Sequence, residues 1–246
     1  MFISRYFSKK KPKLQIHFGG CAGKVWYILG IAAYLQDEFK TELESHEIYY
    51  SGESAGAIGA LLMMFFTVDA LWVEIIPCML NEVHSHHFGC IGIWYDQVIK
   101  HIINILPRDA YKKASKYYSN LHFDTHSRNG VIVDTFRSNQ EVLESICAGG
   151  YIPGFGKHFR YPFRGTKCLD GGLARLLYRS EPLRFPEQIV KTLRIDHNMF
   201  SKLPKRWHWL HSDSKYCFKI YNQGLTDARE NRSYFEKFFI QNNINL

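Results

Sequence analysis

The first apolar run in the chain alternates. Residues 14–18, Leu-Gln-Ile-His-Phe, read as a strand that Gly19 and Gly20 break at once. Over residues 24–39 the period becomes helical, with Val25, Ile28, Leu29, Ala32, Ala33 and Leu35 recurring on one side. The same grammar then repeats: residues 47–50 read as a short strand, 51–56 as a turn and 57–66 as an apolar helix. Two strand–turn–helix units in succession predict an α/β domain whose parallel or mixed sheet carries helices on both faces.

Further on the pattern weakens. The longest apolar region, residues 58–80, is interrupted by Asp69, Glu74 and Pro77, which are costly in a bilayer core, so it is expected as a buried helix. Between residues 83 and 129 only helices near 95–106 and 110–118 stand out. A strand at 130–134 follows, then a helix at 139–148 capped by Ser138 or Asn139, a glycine-rich irregular stretch at 149–156, a strand at 166–170 and a closing helix over 225–241. Without internal repeats or a low-complexity linker, the expectation is one domain over 14–246 behind a basic tail, residues 1–13. The core motifs fall in 14–183, and 184–246 form a C-terminal extension.

Composition adds little to this frame. Hydrophobic residues make up 46% and charged residues 22%, ordinary globular usage. Lys and Arg (31) exceed Asp and Glu (23), and the net charge of +8 favours anionic surfaces. Since no zinc-finger spacing or single-strand platform motif accompanies the charge, nucleic acid is not an expected partner. Six scattered cysteines without CxxC pairs, and no signal peptide, point to an intracellular, reducing, cytoplasmic setting. His84, His86 and His87 lie close together but lack the carboxylate or cysteine spacing of a zinc site, so no metal is expected.

Three turns carry the candidate chemistry. Gly52-Glu-Ser-Ala-Gly56 matches G-x-S-x-G, in which a serine sits on a strained strand-to-helix turn between small neighbours. Ser54 is therefore the candidate nucleophile, and the helix after it points free amides and a positive dipole end at the serine oxygen. Glu53 reads as structural, because the residue before an elbow serine points elsewhere. The second turn, Gly19, Gly20, Cys21, Ala22 and Gly23, also feeds a helix and can offer backbone amides to an oxyanion. It misses the Gly-x-Gly-x-x-Gly dinucleotide fingerprint, and no cofactor is expected. In the third, Asp170 closes a short strand and Gly171 and Gly172 leave room beside its carboxylate.

Together these turns resemble the patatin-like phospholipase family, most closely its animal branch of adipose triglyceride lipase and adiponutrin. The likeness runs through Gly19 to Ala22, through Gly30 within the helix, through residues 145–153 (Ser-Ile-Cys-Ala-Gly-Gly-Tyr-Ile-Pro) and through 221–227 (Tyr-Asn-Gln-Gly-Leu-Thr-Asp). It implies a three-layer α/β/α fold with a central, mainly parallel sheet. It also implies a Ser54–Asp170 dyad that needs no histidine, and a lipid substrate met at a membrane or lipid-droplet surface. Lys24 and Val25 stand where the family often has glycine, which implies a differently shaped oxyanion turn.

Two rivals remain. An α/β-hydrolase carboxylesterase shares the elbow and would use His197, His208 or His211, but only 53 residues precede Ser54, too few for the strands that fold places before it. The other is a non-catalytic lipid-binding protein on the same fold. Aromatic residues interleaved with basic ones at 157–164 and 205–211, including Trp207 and Trp209, fit peripheral attachment to membranes.

Overall fold

The computed structural model describes residues 13–68, 71, 76–85, 92–172, 191–203 and 214–240. The basic tail, His86, His87, His208, His211, Trp207, Trp209 and the side chain of His84 lie outside the described residues.

The chain opens with β1 (Lys13–Phe18), a 3-10 turn (Ala22–Lys24), α1 (Val25–Glu38), α2 (Lys40–Ser45), β2 (Glu47–Glu53) and α3 (Ala55–Phe65). Next come α4 (Ile76–Ser85), α5 (Trp94–Ile103), α6 (Ala110–Tyr117), β3 (Tyr118–Asp124), β4 (Asn129–Val133) and α7 (Asn139–Gly149). The chain closes with β5 (Tyr161–Phe163), β6 (Thr166–Asp170), β7 (Lys191–Ile195), α8 (Ser214–Glu230) and α9 (Arg232–Ile240). The strands form one sheet in the order β5-β6-β3-β2-β1-β7, with β4 also on β3. β7, β1, β2 and β3 are mutually parallel, and β4, β5 and β6 are antiparallel additions. The result is the patatin-like three-layer α/β/α arrangement.

Three expectations need correction. The apolar region at 58–80 is not one helix: α3 ends at Phe65, where Phe66 turns extended, and α4 begins at Ile76. The closing helix begins earlier than expected and is two helices, α8 and α9, that meet at Asn231. β3, β5 and β7, and the short α2, emerge where no element stood out.

The core lies around α1, which is buried on all sides from Val25 to Leu35. α1 crosses α8 at backbone contact. A methyl on Gly30 would sit 2.1 Å from the Tyr221 carbonyl oxygen, and one on Gly224 2.1 Å from that of Tyr27. Only glycine allows this approach. Tyr27 Oη then donates to Asp227 Oδ2 at 2.6 Å, so the resembling segments at 19–30 and 221–227 pack on each other. Among the described residues, no helix is long and apolar enough to cross a membrane.

Candidate functional site

The site follows from strand pairing. β4 pairs with Asn120–Asp124 of β3 along one edge, leaving the other edge to two strands. β2 takes its first half, ending with Glu53 opposite Leu121. β6 descends the second half, ending with Asp170 opposite His122. The two strands therefore meet end to end, and Ser54, just past the end of β2, is brought to Asp170, the last residue of β6, 116 positions away in sequence.

At that junction the Ser54 hydroxyl donates directly to Asp170 Oδ2. Ser54 alone connects β2 to α3, with φ 55° and ψ −136°, a left-handed conformation that costs a non-glycine residue free energy. Close packing enforces it: a methyl on Gly52 would lie 2.5 Å from Ala57 backbone, and one on Gly56 2.4 Å from the Phe18 and Gly19 carbonyl oxygens. The Asp170 carboxylate is fixed by the Gly172 amide, which donates to Oδ1 at 2.7 Å, and its own N–H donates to the Tyr151 carbonyl at 3.0 Å. Both side chains are almost buried, Ser54 at 8% exposure and Asp170 at 6%.

The turn at 19–23 lies beside them, so near that a methyl on Gly20 would sit 3.4 Å from Ser54 Cβ. Its first two amides are engaged: Gly19 N–H donates to the Ile195 carbonyl at 3.0 Å, and Gly20 N–H faces Glu53 Oε1 at 3.4 Å. Cys21 and Ala22 follow, Ala22 with φ 46°, before Lys24 N–H closes the 3-10 turn on Cys21. The Cys21 thiol is pushed far above its ordinary range by burial, reinforced by Asp196 and Asp170, so it stays protonated and is no rival nucleophile.

Several residues around the site carry no sequence signal. Arg194 and Asp196, at the end of β7, border the 19–23 turn, with Arg194 Nη2 3.7 Å from Glu53 Oε1 and Nε donating to Asp196 Oδ2 at 2.6 Å. Tyr95 latches the 149–152 segment beside both catalytic candidates, donating to the Gly150 carbonyl at 2.7 Å and accepting the Ile152 amide at 2.8 Å. His122 reaches Asn120 Oδ1 at 2.9 Å and Ser145 Oγ at 3.2 Å, and burial lowers its pKa to about 3. Of the three histidines in the carboxylesterase alternative, His197 is described. It lies against the Gly20 backbone, its pKa lowered first by burial and then by Lys24, and no hydrogen bond joins it to Ser54. Among the described residues no cluster suits a metal ion.

A small apolar groove of about 40 Å³ opens between α1, α3, α4 and α5. Val25 and Leu29 line it from α1, Ile58 and Leu62 from α3, and Trp94 and Ile102 from α5. Ile58 and Leu62 stand one and two helical turns beyond Ser54, so the groove runs beside the helix that Ser54 opens, and Ser54 itself is not part of its lining.

No family model matches the chain. Mouse omega-hydroxyceramide transacylase is 25% identical over 166 residues, 66% of this chain and 27% of its own length. Human patatin-like phospholipase domain-containing protein 4 is 23% identical over 173 residues, 67% of this chain and 66% of its own. Human patatin-like phospholipase domain-containing protein 2 is 23% identical over 167 residues, 65% of this chain and 32% of its own. The chain thus spans from about a quarter to about two thirds of the length of these relatives. In sequence the chain is similar to the patatin-like phospholipase domain-containing proteins, whose names are those of lipid hydrolases and acyltransferases, and its fold is the patatin-like one.

Proposed function

We propose that the protein is a serine acyl hydrolase that cleaves carboxylic esters of lipids, with Ser54 as nucleophile and Asp170 as base. The observation that carries this reading is the Ser54 hydroxyl, mounted in a strained conformation and donating straight to a carboxylate. Ser54 Oγ attacks the ester carbonyl while Asp170 takes its proton. The resulting oxyanion is held by the amides of Cys21 and Ala22, assisted by the N-terminus of α3. As the tetrahedral carbon collapses, the C–O bond to the alcohol breaks and Asp170 returns the proton to the leaving oxygen. Water then attacks the acyl-serine, losing its proton to Asp170, and as the C–O bond to Ser54 breaks Asp170 passes that proton to Ser54 Oγ, which releases the fatty acid and restores the dyad.

The small groove beside α3 can take part of an acyl chain, since its lining is apolar and each buried methylene contributes about 0.8 kcal/mol. Peripheral attachment to anionic membranes belongs to the same reading. Phe159 is 74% exposed and lies between Lys157 and Arg160, on the loop that leads away from Tyr151 and hence from Asp170. Attachment to anionic vesicles should weaken as salt rises and in Phe159→Asp, and indifference to both would refute it.

The primary test is labelling by a fluorophosphonate probe. Wild type should form a covalent adduct that Ser54→Ala lacks, and mass analysis of products from a lipid mixture should show free fatty acid. Folded wild type that resists the probe in the presence of vesicles would favour a non-catalytic lipid-binding protein. Acyl groups moving to an added alcohol in place of water would make the enzyme a transacylase acting through the same serine.

A further inference from the structure

The residue before the nucleophile has a side chain the acyl-transfer steps above do not use. Glu53 is 4% exposed, and its carboxylate lies between the two glycine turns, with Oε1 3.4 Å from the Gly20 amide and 3.7 Å from Arg194 Nη2. A buried negative charge beside the serine opposes the charge that develops on the ester oxygen. β7 supplies a counterweight. Its last residues hold the turn through the Ile195 carbonyl and bring the Arg194 guanidinium to Glu53, while Asp196, just past the strand, accepts from Arg194 Nε.

We propose that Arg194 is a positioning residue of this site: it balances the charge of Glu53, which in turn holds the Gly20 amide and so orients the Cys21 and Ala22 amides toward the oxyanion. The inference rests on the acyl-transfer reading and adds to it the device that makes a carboxylate tolerable next to the nucleophile. The charged partners of Arg194 are Glu53 and Asp196, and it acts on the site through Glu53.

The test measures the rate of fluorophosphonate labelling and, with a soluble ester, kcat and KM, in full-length wild type, Arg194→Met, Glu53→Gln and the double variant. Arg194→Met should lose about ten- to a hundredfold in labelling rate and kcat with KM nearly unchanged, the scale of one uncompensated charge a few ångströms away. Glu53→Gln keeps an acceptor for Gly20 without the charge and should label at least as fast as wild type. It should also restore most of the activity when combined with Arg194→Met. A purely structural Arg194 would give additive losses and no rescue, and a Glu53 that moves protons would make Glu53→Gln inactive. Either result overturns the proposal. If Arg194→Met fails to fold, Glu53→Gln alone still decides, because a tenfold loss there refutes the charge-balance role. Inert wild type would instead sink the acyl-transfer reading, and the proposal with it.

Discussion

The chain passes from strand to helix twice on the same sheet, and the two passages are built in opposite ways. Between β2 and α3 there is a single residue, Ser54, gripped by glycines that leave no space even for a methyl group. Between β1 and α1 the chain takes six residues, 19–24, and a methyl on Gly20 would meet Ser54 Cβ at 3.4 Å, an ordinary contact. The tight passage spends conformational free energy to aim one hydroxyl. The loose one spends its hydrogen bonds at its near end, on Ile195 and Glu53, and passes Cys21 and Ala22 beside the serine. In the proposed reaction one serves as a mount and the other as a cradle, and both are needed, because preorganised donors help only if the nucleophile is held against them.

The sharpest way to break this picture is to keep the mount and remove the proton acceptor. Asp170→Asn should lower ester turnover by about 10⁴-fold, as an amide cannot take the Ser54 proton, while thermal melting stays within a few degrees of wild type. His197→Ala should retain activity, since His197 lies at Gly20 and not at the serine hydroxyl. Turnover measured for both variants on the same ester decides the matter. An active Asp170→Asn, or a folded but dead His197→Ala, would remove the direct Ser–Asp transfer.

A smaller effect separates mount from cradle by stability. In Gly56→Ala the new methyl would press on two backbone carbonyls at 2.4 Å, and the loss should exceed about 3 kcal/mol, lowering the melting temperature by roughly 6–12 °C. Gly20→Ala meets only ordinary contacts and should cost less than about 1 kcal/mol, yet it crowds the serine and should slow fluorophosphonate labelling. Calorimetry of the two variants side by side reads the difference. Equal melting temperatures would mean that the two turns do not differ in rigidity.

Both turns were legible in the sequence because each joins an apolar strand to a periodic helix through glycines, a local signal. The expected strand at 14–18 and helix at 24–39 fall within a residue or two of β1 and α1, and Ser138 caps α7 through the Glu141 amide as its pattern proposed. β3, which joins the halves of the site, was not legible. Its buried residues include Ser119, Asn120 and His122, so it shows neither alternation nor an apolar run, and only the tertiary structure supplies partners for those polar groups. Glu53 was legible as a residue but not in its role, since its partner Arg194 arrives from β7, 141 positions further on. The helix at 58–80 failed for a different reason. Apolar residues continue across the break after Phe65, and hydropathy alone does not mark the point where the backbone turns extended.

The polar interior of β3 yields the last and most modest prediction. In the unfolded chain His122 takes up a proton near pH 6.5, whereas in the fold burial, aided by the nearby Arg164 charge, delays this to about 3. Between those values the unfolded state binds more protons, so the contribution of neutral His122 is intact above about pH 6.5 and is lost as pH falls toward 3. The slope should be at most about 1.4 kcal/mol per pH unit, or about 2 kcal/mol by pH 5. His122→Gln keeps a neutral hydrogen-bonding group beside Asn120 and Ser145 and removes the titration, so it should start less stable at pH 7 yet lose less on acidification. Urea unfolding of both proteins at pH 7 and pH 5 provides the comparison. Because His122 on β3 stands opposite Asp170 on β6 in the strand register, acid that strains this network should also loosen the junction between mount and carboxylate. Parallel pH dependence in wild type and His122→Gln would show that the buried imidazole plays no part in holding that junction.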